Sequence, residues 1–268
     1  MTVRYPAIKI SSPTTREFWE IGVVHEDPDL LAVDKPSRLL SSPDRYDAAR
    51  PNLMRLLHAG IADGKPWATA RALTYLANVH RLDFETSGVM LLAKNKPALI
   101  HLANQFGSGV PKKSYVALVQ GSPSEDTFEV DAKLAPDERR PGFMRWARDG
   151  KKSLTRFQVL ERFDGVTLLS CHPETGRTHQ IRVHLKFAGY PIFADPLYGD
   201  GVQLMLSQIK RGFRLKPGRE ENPLTPSLAL HAWKLSVDHP LTGQKVDMEA
   251  PWPKYLEVAL KQLRRYTG

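Results

Sequence analysis

The chain has 268 residues, 41% apolar and 25% charged, the balance of a soluble globular protein with room for one large or two small domains. Its one cysteine, Cys171, excludes an intrachain disulfide and a cysteine-based zinc site, and fits a reducing compartment. With 38 basic against 29 acidic residues the net charge is +9, which suggests a polyanionic partner, most often nucleic acid.

Residues 1–20 hold no long apolar run, so neither a signal peptide nor a membrane span is expected, and the cytoplasm is the default location. They read as an irregular arm. In IGVVHEDPDLLAVDKP (21–36), two apolar runs flank Glu26-Asp27-Pro28-Asp29, a turn signal, so a hairpin is predicted. Leu53, Leu56, Leu57 and Ile61 recur at helical spacing within 51–62. The run Val89–Ala93 is short and wholly apolar, as in a buried strand. Residues 96–109 read as a helix, with Pro97 in its first turn, Leu99, Leu102, Ala103 and Phe106 on one face, and Gly107 near its end.

KKSYVALVQG (112–121) is a predicted strand. Residues 154–163 and 166–173 bracket Asp164-Gly165, a two-residue hairpin turn. Residues 175–189, TGRTHQIRVHLKFAG, are predicted as a helix starting near Thr178 and stopped by Gly189. It has a basic stripe (His179, Arg182, Lys186) and an apolar one (Ile181, Leu185, Ala188), although alternation at 181, 183, 185 and 187 also allows a strand. Residues 201–226 are polar and basic, as in an insertion. A hairpin over 228–251 turns at Leu241–Gln244, and KYLEVALKQLRRY is an amphipathic helix with Arg264 and Arg265 in its last turns. Strands dominate and helices intersperse irregularly, so the class is α+β around a mixed, mainly antiparallel sheet. No glycine-rich dinucleotide or phosphate loop occurs, so no nucleotide cofactor is expected.

The segment with most chemical content is HRLDFETSG (80–88). Asp83 lies between a polar approach and a predicted buried strand, and Thr86-Ser87-Gly88 can turn the chain sharply beside it. Taken alone, Asp83 reads as an ordinary ion pair with Arg81 as readily as a functional carboxylate. His179 and His184 are five apart, which sets them about 140° around a helix and argues against a metal pair. Cys171 reads as a small buried residue ending a strand. Tyr115, beside Lys112 and Lys113, suits either cross-strand packing or a base-stacking platform with phosphate contacts.

Together these segments resemble the RluA-type pseudouridine synthases. HRLDFETSG matches the family's H-R-L-D-x-x-T-S-G signature. EDPDLLAVDKP, PKKSYVALVQG, TGRTHQIRVHLKFAGYPIFADPLYG and LALHAWKLSVDHPLTG resemble its other motifs in order, from about residue 21 to 253. The resemblance implies the pseudouridine-synthase fold with a central cleft, and isomerisation of chosen uridines in ribosomal or transfer RNA without metal or cofactor. In that chemistry the base is flipped out, detached, turned and rejoined through carbon.

It implies that Asp83 is the catalytic aspartate, acting as nucleophile at the anomeric carbon or as base beside it, and that Arg182 is its basic partner. Tyr115 would stack on the target base. Arg81 would help fill the gap left by the flipped nucleotide, and Ile181 would line the apolar wall of the base pocket. Arg177, Lys112 and Lys113 would contact phosphate or loop.

The expected organisation is an arm over 1–20, a catalytic domain over 21–253 and a packed helix over 254–268. A monomer is expected, with no S4-type domain before it. Two departures bear on turn geometry: Arg38 and Ala194 stand where the family usually has glycine. The alternative from another class is an RNA-binding or ribosome-assembly factor that keeps the fold without catalysis.

Overall fold

A computed structural model describes residues 5–267, apart from 45, 46, 48 and 217. The first four residues of the expected arm and the last of the expected terminal helix lie outside the described residues. In chain order the first half holds β1 (Ile8–Ser11), β2 (Phe18–Glu26), β3 (Leu30–Lys35), α1 (Leu53–Ala62), α2 (Pro66–Thr69), β4 (Ala77–Asn78), β5 (Ser87–Ala93), α3 (Lys96–Ser108) and β6 (Lys112–Gln120). There follow β7 (Thr127–Asp131), β8 (Leu134–Pro136), β9 (Met144–Trp146), β10 (Leu154–Phe163), β11 (Val166–Pro173), α4 (Gln180–Phe187), α5 (Leu206–Ile209), β12 (Leu230–Asp238), β13 (Lys245–Glu249) and α6 (Lys254–Tyr266). The mainly antiparallel α+β class is as expected.

The chain divides into two compact units: Met1–Lys113 with Ala232–Pro251, and Ser114–His231 with Trp252–Gly268. In the first unit the strands run β1-β2-β3-β5-β12, with β13 on β12 and β4 on β5. All seven residues of β5 are buried, and its Val89, Leu91 and Ala93 pack with Leu30, Ala32, Ala98, Leu102 and Val237. Each buried valine or leucine there contributes about 1.5–3 kcal/mol, and each alanine methyl about 0.8 kcal/mol.

The predicted hairpin over 21–36 forms, its turn closed by Asp27, whose Oδ1 accepts the backbone N–H of Asp29 (2.8 Å) and Leu30 (2.7 Å). The arm over 1–20 is corrected: Ile8 and Ile10 alternate with exposed Lys9 and Ser11, and β1 pairs antiparallel with β2. Four residues are the shortest run over which alternation can register in sequence. Helix α3 starts at an Asn95 cap and ends at Gly109 (φ 77°), two residues beyond the expected Gly107. Its buried face holds Ala98, Leu102 and Gln105 rather than Ala103. Gln105 tolerates burial because its amide bonds both the N–H and C=O of Asp238.

In the second unit the order is β6-β11-β10-β7, all antiparallel, and β8-β9 form a separate pair. The turn at Asp164-Gly165 forms as predicted, with Gly165 at φ 67°. Cys171 is fully buried on β11, and burial pushes its thiol well above the ordinary range, so it is inert. Helix α6 buries Leu256, Ala259, Leu260 and Leu263, the spacing of one amphipathic face.

Candidate active site

Asp83 sits on a turn whose backbone is held at several points. Ser41 Oγ accepts the Leu82 N–H (3.0 Å) and donates to the Leu82 carbonyl (2.8 Å). Ser37 Oγ donates to the Glu85 carbonyl (2.7 Å), the Arg38 N–H to that of Phe84 (2.7 Å), and the Thr86 N–H to that of Asp83 (3.2 Å). Residues 37–41, which follow β3, therefore clamp residues 82–85. Gly88 closes the segment at φ 115°, where a Cβ would lie 2.2 Å from the Ala232 carbonyl oxygen, so only glycine fits. Arg81 is exposed and Asp83 half-buried.

Beneath this turn lies Lys35, fully buried, whose Nζ donates to the carbonyls of Pro36 (2.8 Å) and Leu39 (2.7 Å). Burial pulls its ammonium down to about 7, against the attraction of Asp83, Glu85 and Asp34. Burial likewise pushes Asp34 up to about 6. His80 anchors the other end of the motif. Its Nε2 accepts the Leu91 N–H (2.9 Å) and its ring stacks on Phe106 at 5.0 Å.

Burial, with the Lys113 charge, lowers His80 to about 4. Its folded value is thus below its unfolded one, near 6.5, so the fold favours the neutral ring. The stabilisation is complete above pH 6.5 and is lost as pH falls toward 4. Chemical denaturation across pH 7 to 4 is expected to show stability falling in this window, with a shallower fall in His80→Gln. Parallel curves for the two proteins would exclude the contribution.

In the second unit Arg182 is almost wholly buried, with 1% exposure. Its Nε donates to Asp195 Oδ2 (2.9 Å) and its Nη2 to Asp195 Oδ1 (2.6 Å), a bidentate pair. Asp195 Oδ1 also accepts the N–H groups of Leu197 (2.9 Å) and Tyr198 (3.1 Å), and the guanidinium lies 5.2 Å from the Tyr198 ring centre. The loop before α4 is held by Gln180. Its Oε1 accepts from Thr175 Oγ1 (2.6 Å) and the Arg177 N–H (3.0 Å), and its Nε2 donates to the Leu154 carbonyl (3.0 Å).

The helix over this segment forms, over Gln180–Phe187, and Gly189 follows it at φ 87°. The expected basic stripe does not hold. Arg182 is buried on its carboxylate, and only Lys186 of the three is exposed. Ile181 is buried and Arg177 exposed, its Nε donating to the Lys152 carbonyl (3.1 Å). Tyr115 is half-buried on β6 opposite Cys171. In the first unit Lys112 is exposed and Lys113 half-buried at the start of the same strand.

Both departures from the glycine pattern keep a left-handed backbone, Arg38 at φ 63° and Ala194 at φ 55°. A non-glycine residue there carries about 1–2 kcal/mol of strain, of which glycine's extra unfolded entropy cancels part. Arg38→Gly is therefore expected to stabilise the protein by about 1 kcal/mol. Ala194→Gly also loses a buried methyl worth about 0.8 kcal/mol and is expected to be near neutral. Urea denaturation checks both, and a destabilised Arg38→Gly would refute the strain.

Sequence reading missed Lys35, Ser41 and His80 as supports of the Asp83 turn in the first unit, and Asp195 as the partner of Arg182 in the second. It also missed a group in the first unit, Asp27, Asp29 and His239, whose ligand atoms lie within 4.8 Å of one another. His239 Nδ1 accepts the N–H groups of Leu241 (3.2 Å) and Thr242 (3.3 Å), so the ring proton sits on Nε2, facing Asp27 at 3.4 Å. A metal would need that nitrogen's lone pair, so the group reads as a hydrogen-bonded staple between the β2-β3 turn and the end of β12.

On this α+β framework the clamped turn of the first unit presents one half-buried carboxylate, Asp83. The family described as RNA pseudouridylate synthase matches residues 29–187. The uncharacterized RNA pseudouridine synthase YlyB of Bacillus subtilis (strain 168) is 35% identical over 247 residues, covering 92% of this chain and 74% of that protein. Ribosomal large subunit pseudouridine synthase C of Escherichia coli (strain K12) is 36% identical over 245 residues, covering 90% and 70%. The solved structure of human RNA pseudouridylate synthase domain containing 4 shares the fold, with a TM-score of 0.65 at 24% identity over 91% of this chain and 93% of that one. The chain belongs to the RNA pseudouridylate synthase family, as its RluA-type motifs implied, and is an RNA-modifying isomerase. Among the described residues no helix is long and apolar enough to cross a membrane.

Proposed function

We propose that this chain isomerises uridine to pseudouridine in RNA of the large ribosomal subunit, acting in the cytoplasm as a monomer without metal or cofactor. The observation that carries the reading is the clamped turn that presents Asp83, since a half-buried carboxylate on a backbone fixed by serine and main-chain contacts is positioned for attack or proton removal at a ribose. The relative named for the large ribosomal subunit supports the choice of RNA over the transfer RNA alternative.

In this reading Asp83 works on the ribose and Tyr115 stacks on the flipped base. Arg182, made rigid by Asp195, supplies the cation that keeps the catalytic carboxylate ionised. Ile181 contributes apolar wall and Arg81 fills the vacated stack. Arg177, Lys112 and Lys113 contact the RNA backbone. The one domain expected over 21–253 spans residues of both units.

The test is tritium release from transcripts labelled at carbon 5 of uridine, because the new carbon–carbon bond expels that hydrogen. Release from large-subunit ribosomal RNA and not from transfer RNA is expected. Release from transfer RNA alone would overturn the choice of RNA, and release from neither, with binding intact, would favour the binding-factor alternative.

A further inference from the structure

Trp146 and Phe187 lie together on the surface of the second unit with 47% and 59% of their area exposed, ring centres 6.2 Å apart and planes at 25°. Two large aromatic faces left in water are unusual unless something covers them. Their supports are rigid. Trp146 pairs with Leu134 across β8-β9, and Leu134 packs with Val183 of α4 and Tyr198. The Met144 N–H donates to Tyr198 Oη (2.9 Å), and Gly150 sits where a Cβ would lie 2.7 Å from the Leu134 backbone, which fixes the hairpin's return.

The residues that adjoin the pair in sequence are basic. Residues 133–152 hold seven lysines and arginines against three acids. Arg145, Arg148, Lys151 and Lys186 are all exposed. Phe187 also lines a groove with Glu125, Glu129, Asp131, Phe128 and Tyr190, whose carboxylates would repel a phosphate chain and so leave the backbone to the cations beside Trp146 and at Lys186.

We infer that Trp146 and Phe187 form a base-stacking platform for a single-stranded stretch of the RNA outside the reacting uridine. The inference rests on the reading of the chain as an enzyme acting on RNA. Exposed aromatics capture bases of any sequence through their π faces, and neighbouring cations hold the backbone. Phe187 lies five residues beyond Arg182, about 140° around α4, so the platform is on another face of that helix from the buried arginine. It therefore sets affinity and not the chemical step.

Trp146→Leu keeps apolar bulk and removes the π face, while Trp146→Phe keeps a face. A fluorescein-labelled single-stranded 12-mer of uridine and a 12-base-pair RNA duplex serve as binding probes, with tritium release from ribosomal RNA as the activity readout. Trp146→Leu and Phe187→Ala are expected to weaken single-strand binding about tenfold, to raise KM by a similar factor and to leave kcat within about twofold. Duplex binding is expected to hold, and Trp146→Phe to recover most of the affinity. Equal affinity in wild type and Trp146→Leu overturns the platform and leaves the aromatic pair to a protein partner. Failure of wild type to bind the single strand, with turnover intact, overturns it also. Absence of turnover and binding on every RNA overturns the reading beneath it.

Discussion

Asp83→Ala is expected to lower tritium release from ribosomal RNA by at least about 10³-fold while changing RNA affinity by less than about threefold. The asymmetry follows from how the turn is built. Ser41 holds Leu82, Ser37 holds Glu85, and the Arg38 N–H holds the Phe84 carbonyl, all through the backbone of residues 82–85. Truncating Asp83 leaves those bonds in place, and the Thr86 N–H still closes the turn on the Asp83 carbonyl. What disappears is the carboxylate, which either a covalent or a general-base route requires. Affinity depends mainly on cations spread over a chain of net charge +9, and one lost carboxylate subtracts little from it. Single-turnover kinetics beside a filter-binding titration separate the two quantities. Turnover within tenfold of wild type would remove Asp83 from its proposed role.

Asp195→Ala is expected to be the most destabilising single change in the second unit, at about 3–5 kcal/mol. The Arg182 guanidinium is 1% exposed and bonds Asp195 through two nitrogens, and Asp195 also accepts the N–H groups of Leu197 and Tyr198. Removing the carboxylate leaves a buried cation short of its bidentate acceptor and strips two backbone donors of theirs. Most of this cost comes from leaving the cation behind, so Arg182→Met with Asp195→Leu is expected to unfold at higher urea than Asp195→Ala alone, though without activity. Equal midpoints for wild type and Asp195→Ala would show that the pair contributes nothing to stability. Asp195→Asn keeps an acceptor oxygen for Leu197 and Tyr198 and is expected to fall between the two.

These two expectations differ in how far sequence could reach them. Asp83, Arg182 and Tyr115 were singled out because each belongs to a motif that resembles a known family's, and their proposed roles rest on that resemblance. Asp195 lay inside a quoted motif and still drew no role, since nothing local marks it as the partner of a side chain thirteen residues earlier. Arg182, His179 and Lys186 look like a solvent-facing stripe by spacing alone. The spacing is helical as read, but the tertiary contact turns the arginine inward. Ser41 and Leu82 are 41 residues apart, and Lys35 looks like one more charged residue ending a strand until its Nζ is seen capped by two carbonyls.

What the sequence by itself determined was local: the β2-β3 hairpin, the turn at Asp164-Gly165, helices α1, α4 and α6, the buried strand β5, and the family through its motifs. Hydrophobic period, turn residues and caps act over a few residues, and so can be read from a few residues. Tertiary structure alone decided which charged groups are buried, which polar atoms clamp the Asp83 turn, and that Arg38 and Ala194 hold left-handed backbone where glycine would be easier. The Asp83 clamp and the Arg182–Asp195 pair depend on partners 13 to 48 residues away, and burial gives such contacts energies large enough to override the local preference.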